Sequence, residues 1–210
     1  ALVRRCLREE GVREDADADT LARRVAARIE ATLAAEILPG CALTALPPSA
    51  LRAEMAFHYA LDDASLAALH RACAAHGESA LIPGAAIGTL RGLMSGKIGL
   101  VFEHAGRFHV RDYKSNWLGD TLDAYRPEYL RAAMDAHHYR FQALLYTLAL
   151  DRYLRRRVPR YERARHLGEA VYLFVRAVGL APAAGVWRHR FDDALLDAVD
   201  RAFGARAEAA

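Results

Sequence analysis

Ten residues toward the C-terminal end, EAVYLFVRAV at positions 169–178, constrain this chain more than any other stretch. The run is nearly continuous in apolar and β-branched residues, without the alternation of a strand that keeps one face in water. It reads as a strand buried on both faces, which requires a sheet with layers packed above and below it. A chain of 210 residues is long enough for one such core, or one core with appendages. Its composition, 53% hydrophobic and 26% charged, is ordinary for a globular protein. No apolar run approaches the roughly 18–20 residues that span a bilayer, and no signal peptide is recognisable. The first residue is Ala1 rather than Met, so the expectation is a piece of a longer chain.

The other elements follow from periodicity and punctuation. Residues 1–18 open with an Arg/Glu-rich segment, broken near Gly11 and by the acidic stretch 14–19. A helix is predicted next, capped by Asp19 or Thr20. Its stripe of Leu21, Val25, Ile29, Leu33 and Ile37 recurs every four residues, and Pro39-Gly40 ends it. Leu46-Pro47-Pro48 marks a turn. In AEMAFHYAL, residues 53–61, Met55, Phe57 and Tyr59 alternate with Glu54, Ala56 and His58, which predicts a strand. Glu54 and His58 share a face, where a solvated surface is expected over a metal role. Residues 61–76 predict a short amphipathic helix, 77–89 a Gly/Pro-containing loop and 117–127 another loop. One long helix is predicted over 128–156, with Leu130, Met134, Phe141, Leu144, Leu145, Leu148 and Tyr153 on its apolar side. His138, Gln142 and Tyr146, four apart, form a polar row on it, and Pro159 stops it. After the 169–178 strand come a loop, a short strand over 186–191, a helix capped by Asp192 and an Ala-rich tail. This order predicts an α/β fold, a mixed central β-sheet flanked by helices. Residues 1–210 are read as one domain, with an N-terminal helical part at 1–50 and the core at 53–203.

Charge and cysteine usage narrow the function classes little. A net charge of +3 and a pI near 8.9 are no argument for nucleic acid by themselves. Seven arginines, Arg152, Arg155, Arg156, Arg157, Arg160, Arg163 and Arg165, crowd into fourteen positions. A solvated helix end is expected there over a phosphate-facing patch. Cys6, Cys41 and Cys73 show no CxxC pairing, so neither a disulfide framework nor a zinc site is implied, and a cytoplasmic location is the default.

The chemical lead is residues 97–116, KIGLVFEHAGRFHVRDYKSN. Two β-rich runs, 98–102 and 108–114, flank Ala105-Gly106, the signature of a β-hairpin. Phe108, Val110, Asp112 and Lys114 share one face of the second run, because strand side chains alternate. A loop centred on Ala105-Gly106 sets Gly99 directly opposite Asp112, where facing Cβ atoms lie about 4.5–5.5 Å apart. Position 99 is where a second carboxylate would share a divalent metal with Asp112. Asp-x-Lys on a strand suits phosphodiester hydrolysis: carboxylates bind Mg²⁺ through oxygen, the metal activates water, and lysine stabilises phosphate charge. As a bare pattern it is weak, and a strand-end salt bridge is expected over a nuclease site.

The wider context raises its weight. GLMSGKIGLVFEHAGRFHVRDYKSNWLG, followed by HHYRFQALLYTLALDRYL and EAVYLFVRAV, resembles the C-terminal nuclease domain of the exodeoxyribonuclease V beta subunit, RecB. That domain is of the PD-(D/E)xK nuclease superfamily, and DYKSNWLG and the Q-x-x-x-Y pattern are its specific marks. The resemblance covers residues 92–178 best and fades before Glu54. It implies a restriction-endonuclease-like core and an Mg²⁺-dependent DNA nuclease, with Asp112 and the Tyr113 carbonyl as metal ligands and Lys114 as the catalytic lysine. It also implies that Gln142 and Tyr146 border the site, by contact or by orientation alone. The implied partners are linear DNA, single- or double-stranded, RecC-like and RecD-like subunits, and the helicase part of a parent chain, with no membrane. Two departures stand out. The family's I-D-L-V-F is Ile98-Gly99-Leu100-Val101-Phe102 here, so one metal-binding Asp is absent. The family's upstream metal-binding His has no match, and neither His58 nor His70 takes its place. The expectation is an impaired nuclease, with a catalytically degenerate module that binds DNA or partner subunits as the alternative.

Overall fold

The computed structural model describes residues 2–12, 17–82 and 88–204, apart from the Asp62 side chain. Part of the expected acidic break, residues 83–87 of the expected Gly/Pro loop and the Ala-rich tail beyond 204 lie outside the described residues. Helices α1 (Leu2–Glu9) and α2 (Ala18–Ala34) lead into a small ribbon of β1 (Glu36–Leu38) and β2 (Cys41–Ala42). Then come β3 (Leu51–Ser65), α3 (Leu66–Ala75), β4 (Thr89–His104) and β5 (Arg107–Lys114). The chain continues through α4 (Pro127–Ala136), α5 (Tyr139–Arg157), the short α6 (Arg163–His166), β6 (Leu167–Phe174), β7 (Val186–His189) and α7 (Asp193–Ala202).

Five strands form one sheet in the order β3-β4-β5-β6-β7. Its pairs are antiparallel except β5–β6, which is parallel and brackets the α4–α5 crossover. A parallel connection needs a crossover of that length, and helices supply it. The fold is thus α/β with a mixed sheet flanked by helices. Strand β6 is covered on both faces, with only Glu169 less than buried. In front, Leu69, Leu130, Met134, Leu144, Leu148 and Leu196 of the helices close over Val110, Ala170 and Tyr172 of the sheet. Behind, Ile37, Leu38, Cys41 and Leu43 cover Leu100, Phe102, Val171 and Leu173.

Three expectations need correction. Ile37 does not extend the helical stripe: α2 stops at Ala34, and Ile37 lies in β1, almost wholly buried behind the sheet. The stripe packs poorly, with Leu21 36% and Ile29 46% exposed. The long helix over 128–156 is two helices. His138 takes a left-handed backbone (φ 55) between α4 and α5, although neither proline nor glycine marks the place. Arg140 holds the break: it is buried and bonds Asp135 at 2.9 Å and also Glu78, which follows α3. Finally, β3 runs to Ser65, whose hydroxyl caps α3 by accepting from Ala68 N at 3.3 Å, so the helix starts later than expected.

Candidate active site

The hairpin turn places the site. Ala105 and Gly106 both have positive φ (50 and 74), the backbone of a two-residue type I′ turn, which suits the twist of paired strands. It pairs His104 with Arg107 and Leu100 with Arg111, and there the β4–β5 ladder ends. Beyond it β4 stays with β3, while β5 stays with β6 through Lys114 and Phe174. The two strands part at Gly99, and Asp112, Tyr113 and Lys114 border the opening. A Cβ on Gly99 would lie 3.3 Å from Asp112 Oδ1 and 3.5 Å from the Arg111 carbonyl oxygen. As the register predicts, position 99 faces the Asp112 carboxylate.

On the other side of Gly99 stands Glu54. Ala53 pairs with Leu100 and Met55 with Ile98, which leaves Glu54 opposite Gly99 with a φ of 50. At this rung the sheet exchanges its faces. Leu51, Leu100 and Phe102 pack behind the sheet, whereas Met55 and Ile98 pack in front. Burial and the Asp112 charge raise the Tyr146 pKa, with a small further contribution from the Glu54 charge. Glu54 and His58 are both exposed in β3, as expected of a solvated strand face. The left-handed φ of Glu54 leaves no mark in the sequence.

Asp112 Oδ2 and Lys114 Nζ are 2.6 Å apart in a largely covered pair, with side-chain exposures of 20% and 10%. Lys114 Nζ also donates to Gln142 Oε1 at 2.9 Å. The Tyr172 hydroxyl donates to the same oxygen at 3.2 Å, and Gln142 Nε2 donates to the Tyr146 hydroxyl at 3.1 Å. These bonds orient the amide, with its acceptor toward lysine and its donor toward tyrosine. Burial and the Asp112 charge hold the Tyr172 hydroxyl well above the usual phenol range and raise that of Tyr146. Both stay protonated and able to donate.

The Tyr113 carbonyl is placed by strand geometry. Successive carbonyls of a strand point to opposite sides, and that of Lys114 accepts from Val175 N at 2.9 Å on the β6 side. Tyr113 therefore turns its carbonyl toward the side that β4 has left. Its ring is 42% exposed and lies under the Arg111 guanidinium at 3.5 Å.

All four residues expected at the site, Asp112, Lys114, Gln142 and Tyr146, thus belong to one connected group, with Tyr113 in the same strand. His138, the first of the polar row, does not join it; it is the exposed residue at the helix break. Tyr139 and Tyr172 do join it and were not anticipated. The Lys114 ammonium sits 3.7 Å from the Tyr139 ring centroid and 5.2 Å from that of Tyr172. A tyrosine inside the apolar EAVYLFVRAV run was the available signal, since a buried hydroxyl needs a partner. Among the described residues, no three of His, Cys, Asp and Glu converge as a ready metal site.

Of the crowded arginines, Arg155, Arg156, Arg157, Arg160 and Arg165 are exposed, as a solvated helix end predicts, while Arg152 and Arg163 are partly buried. Arg163 bonds Asp151 (2.9 Å) and Asp197 (2.7 Å), Arg155 bonds Asp151 (2.7 Å), and Arg152 Nε donates to Asp200 at 2.6 Å. Asp151 is fully buried, and Tyr161 donates to it at 2.6 Å. A solvated helix end does not describe the partly buried Arg152 and Arg163; with the more exposed Arg155 they join α5 and α6 to α7.

The chain matches no family model. It is similar to the RecBCD enzyme subunit RecB of several bacteria. With that of Escherichia coli (strain K12) it shares 45% identity over 115 residues, 54% of this chain and 10% of that protein. The Haemophilus influenzae protein is 44% identical over 114 residues, 54% of this chain and 9% of its own length. That of Mycobacterium tuberculosis is 49% identical over 90 residues, 42% of this chain and 8% of its own length. The resemblance to RecB is borne out over that segment, and the match spans about a tenth of the relatives' length. No described helix is long and apolar enough to cross a membrane.

Proposed function

We propose that this chain is a RecB-type nuclease module, built for Mg²⁺-dependent hydrolysis of phosphodiesters in linear DNA and impaired by Gly99. The observation that carries the reading is the fork between β4 and β5, where Asp112 uses Oδ2 on Lys114 and turns Oδ1 toward the bare Gly99. The donors are of the right kind, because Mg²⁺ takes oxygens. Asp112 Oδ1 and the Tyr113 carbonyl would hold the ion, with Glu54 across the fork as a further carboxylate. When bound, the ion would supply an activated water and neutralise charge on the scissile phosphate.

The chain's own residues do the rest. Lys114 donates N–H to the phosphate oxygens, where negative charge grows as the phosphodiester is attacked. Gln142 holds that ammonium at the level of the carboxylate, and the protonated Tyr146 hydroxyl offers a further donor at the rim. The missing carboxylate at 99 lowers the rate by about 10²–10⁴-fold. The setting that fits is a RecBCD-like helicase-nuclease in the cytoplasm, repairing double-strand breaks. RecC-like and RecD-like subunits and a helicase part of a parent chain are its partners there, and DNA is the substrate.

Gly99 also favours a second reading, a degenerate module that keeps the fold and binds DNA or partner subunits without cleaving. The Asp112–Lys114 pair weighs against it. The deciding variant is Gly99→Asp. The backbone there is not left-handed, and the nearest atom to the new Cβ is a carboxylate oxygen that can rotate away. Cleavage of linear DNA with Mg²⁺ should rise by about 10²–10⁴-fold. A folded Gly99→Asp chain that binds DNA in a salt-sensitive way and cleaves no faster would establish the second reading.

A further inference from the structure

Lys114 is singular in this chain. Of the 29 cationic residues, 27 are arginine, and only Lys97 and Lys114 are lysine. An ammonium with three N–H groups on a slender stem is what position 114 accommodates. Two of those groups are engaged, on Asp112 Oδ2 at 2.6 Å and Gln142 Oε1 at 2.9 Å. The rest of its surroundings is aromatic: the Tyr139 ring centroid at 3.7 Å and that of Tyr172 at 5.2 Å. Tyr139 is itself restrained. Its hydroxyl donates to Asn116 Oδ1 at 3.1 Å, Asn116 Nδ2 is 3.2 Å from His137 Nε2, and the His137 ring stacks on Tyr139 with centroids 5.2 Å apart.

We propose that Tyr139 and Tyr172 form an aromatic cradle that positions the Lys114 ammonium, with Asn116 and His137 holding Tyr139 in place. The physical case rests on the difference between two kinds of attraction. An N–H bond to a carboxylate is directional and must break when lysine turns to a phosphate. Attraction to a ring face is directionally soft, so the cradle holds the charge in place while the N–H bonds are exchanged. The break between α4 and α5 serves this geometry, since it starts α5 at Tyr139 with the ring beside Lys114. Tyr139 and Tyr172 are therefore positioning residues, and their importance for turnover rests on the nuclease reading while the cradle does not.

Lysine acetylation with sulfo-N-hydroxysuccinimide acetate, mapped by mass spectrometry, tests the cradle without any cleavage. The exposed Lys97 is the internal reference. Tyr139→Leu should raise the Lys114/Lys97 labelling ratio about tenfold, while Tyr139→Phe, which keeps the ring but loses the bond to Asn116, should raise it no more than about threefold. An unchanged ratio in a Tyr139→Leu chain that circular dichroism shows to be folded overturns the proposal. Should Tyr139→Leu not fold, Asn116→Ala decides, with a rise of about threefold expected and no rise overturning it. In a Gly99→Asp chain that cleaves, Tyr139→Leu should lower kcat about tenfold with KM for DNA unchanged, and Tyr139→Phe should restore most of it. The reverse pattern, a raised KM with kcat intact, places Tyr139 in substrate binding and overturns the positioning role. If Gly99→Asp yields no cleavage, the nuclease reading fails and the labelling experiment still judges the cradle.

Discussion

The two ends of helix α5 carry similar side chains and use them differently. At the C-terminal end, Asp151 is surrounded by Arg155, Tyr161 and Arg163, and the surplus cations meet Asp197 and Asp200 of α7. Every carboxylate there has a cation, and the product is a joint between helices. At the N-terminal end, Gln142 and Tyr146 meet an Asp112–Lys114 pair in which one carboxylate oxygen points at a missing side chain. The contrast teaches how to separate a structural charge from a functional one. What differs is coordination capacity: both oxygens of the fully buried Asp151 meet donors, whereas Asp112 meets its lysine through Oδ2 and turns Oδ1 toward Gly99.

That comparison breaks most easily at the joint. Asp151→Ala should cost about 1.5–3 kcal/mol in chemical denaturation, because Arg155, Tyr161 and Arg163 lose a fully buried partner while Arg163 keeps Asp197. Burial alone would raise the Asp151 pKa, but hydrogen bonds from Arg163 and Tyr161 lower it overall. A carboxyl depressed in the folded state adds stability above its unfolded pKa of about 3.9 and loses it as pH falls through the lower folded value. The gap between parent and Asp151→Ala should therefore be constant near neutrality and shrink in acid. A gap that persists below the folded pKa would move the stabilisation from charge to packing.

A smaller effect sharpens the other end. In the absence of metal, Gly99→Asp sets two carboxylates face to face and should lower stability by about 1 kcal/mol, read as a lower Tm. Mg²⁺ should reverse the loss in this variant and shift the parent Tm much less. Equal shifts in both chains would mean that position 99 does not face the ion. The smallest change concerns the break between the helices. His138→Gly should gain about 0.5 kcal/mol, since glycine takes a left-handed backbone without the side-chain penalty, part of which its greater unfolded freedom offsets. A loss of stability would show that the His138 side chain holds the break.

The sequence was most legible where one local rule decides the outcome. Ala105-Gly106 dictates a two-residue turn, the turn dictates the register, and the register alone places Gly99 against Asp112. The burial of β6 on both faces was equally plain from its unbroken apolar run. Long-range contacts decided the rest. Nothing local in Ala136-His137-His138-Tyr139 announces the end of a helix; Arg140 reaching Glu78 across the fold makes it. Ile37 kept the four-residue spacing of α2 by coincidence, because β1 buries both Ile37 and Leu38 behind the sheet. The place of Glu54 opposite Gly99 depends on a backbone angle and on a partner strand. Gln142 and Tyr146 were found from pattern, whereas the rings that complete their cluster carry no motif of their own.

The backbone at Gly99 has a further meaning. It is not a turn that only glycine can make, and a side chain there meets a movable oxygen rather than a wall. Glycine and aspartate codons differ at a single base, GGC against GAC. A single base change therefore suffices to put a carboxylate opposite Asp112, with Lys114, Gln142 and both tyrosines already in position.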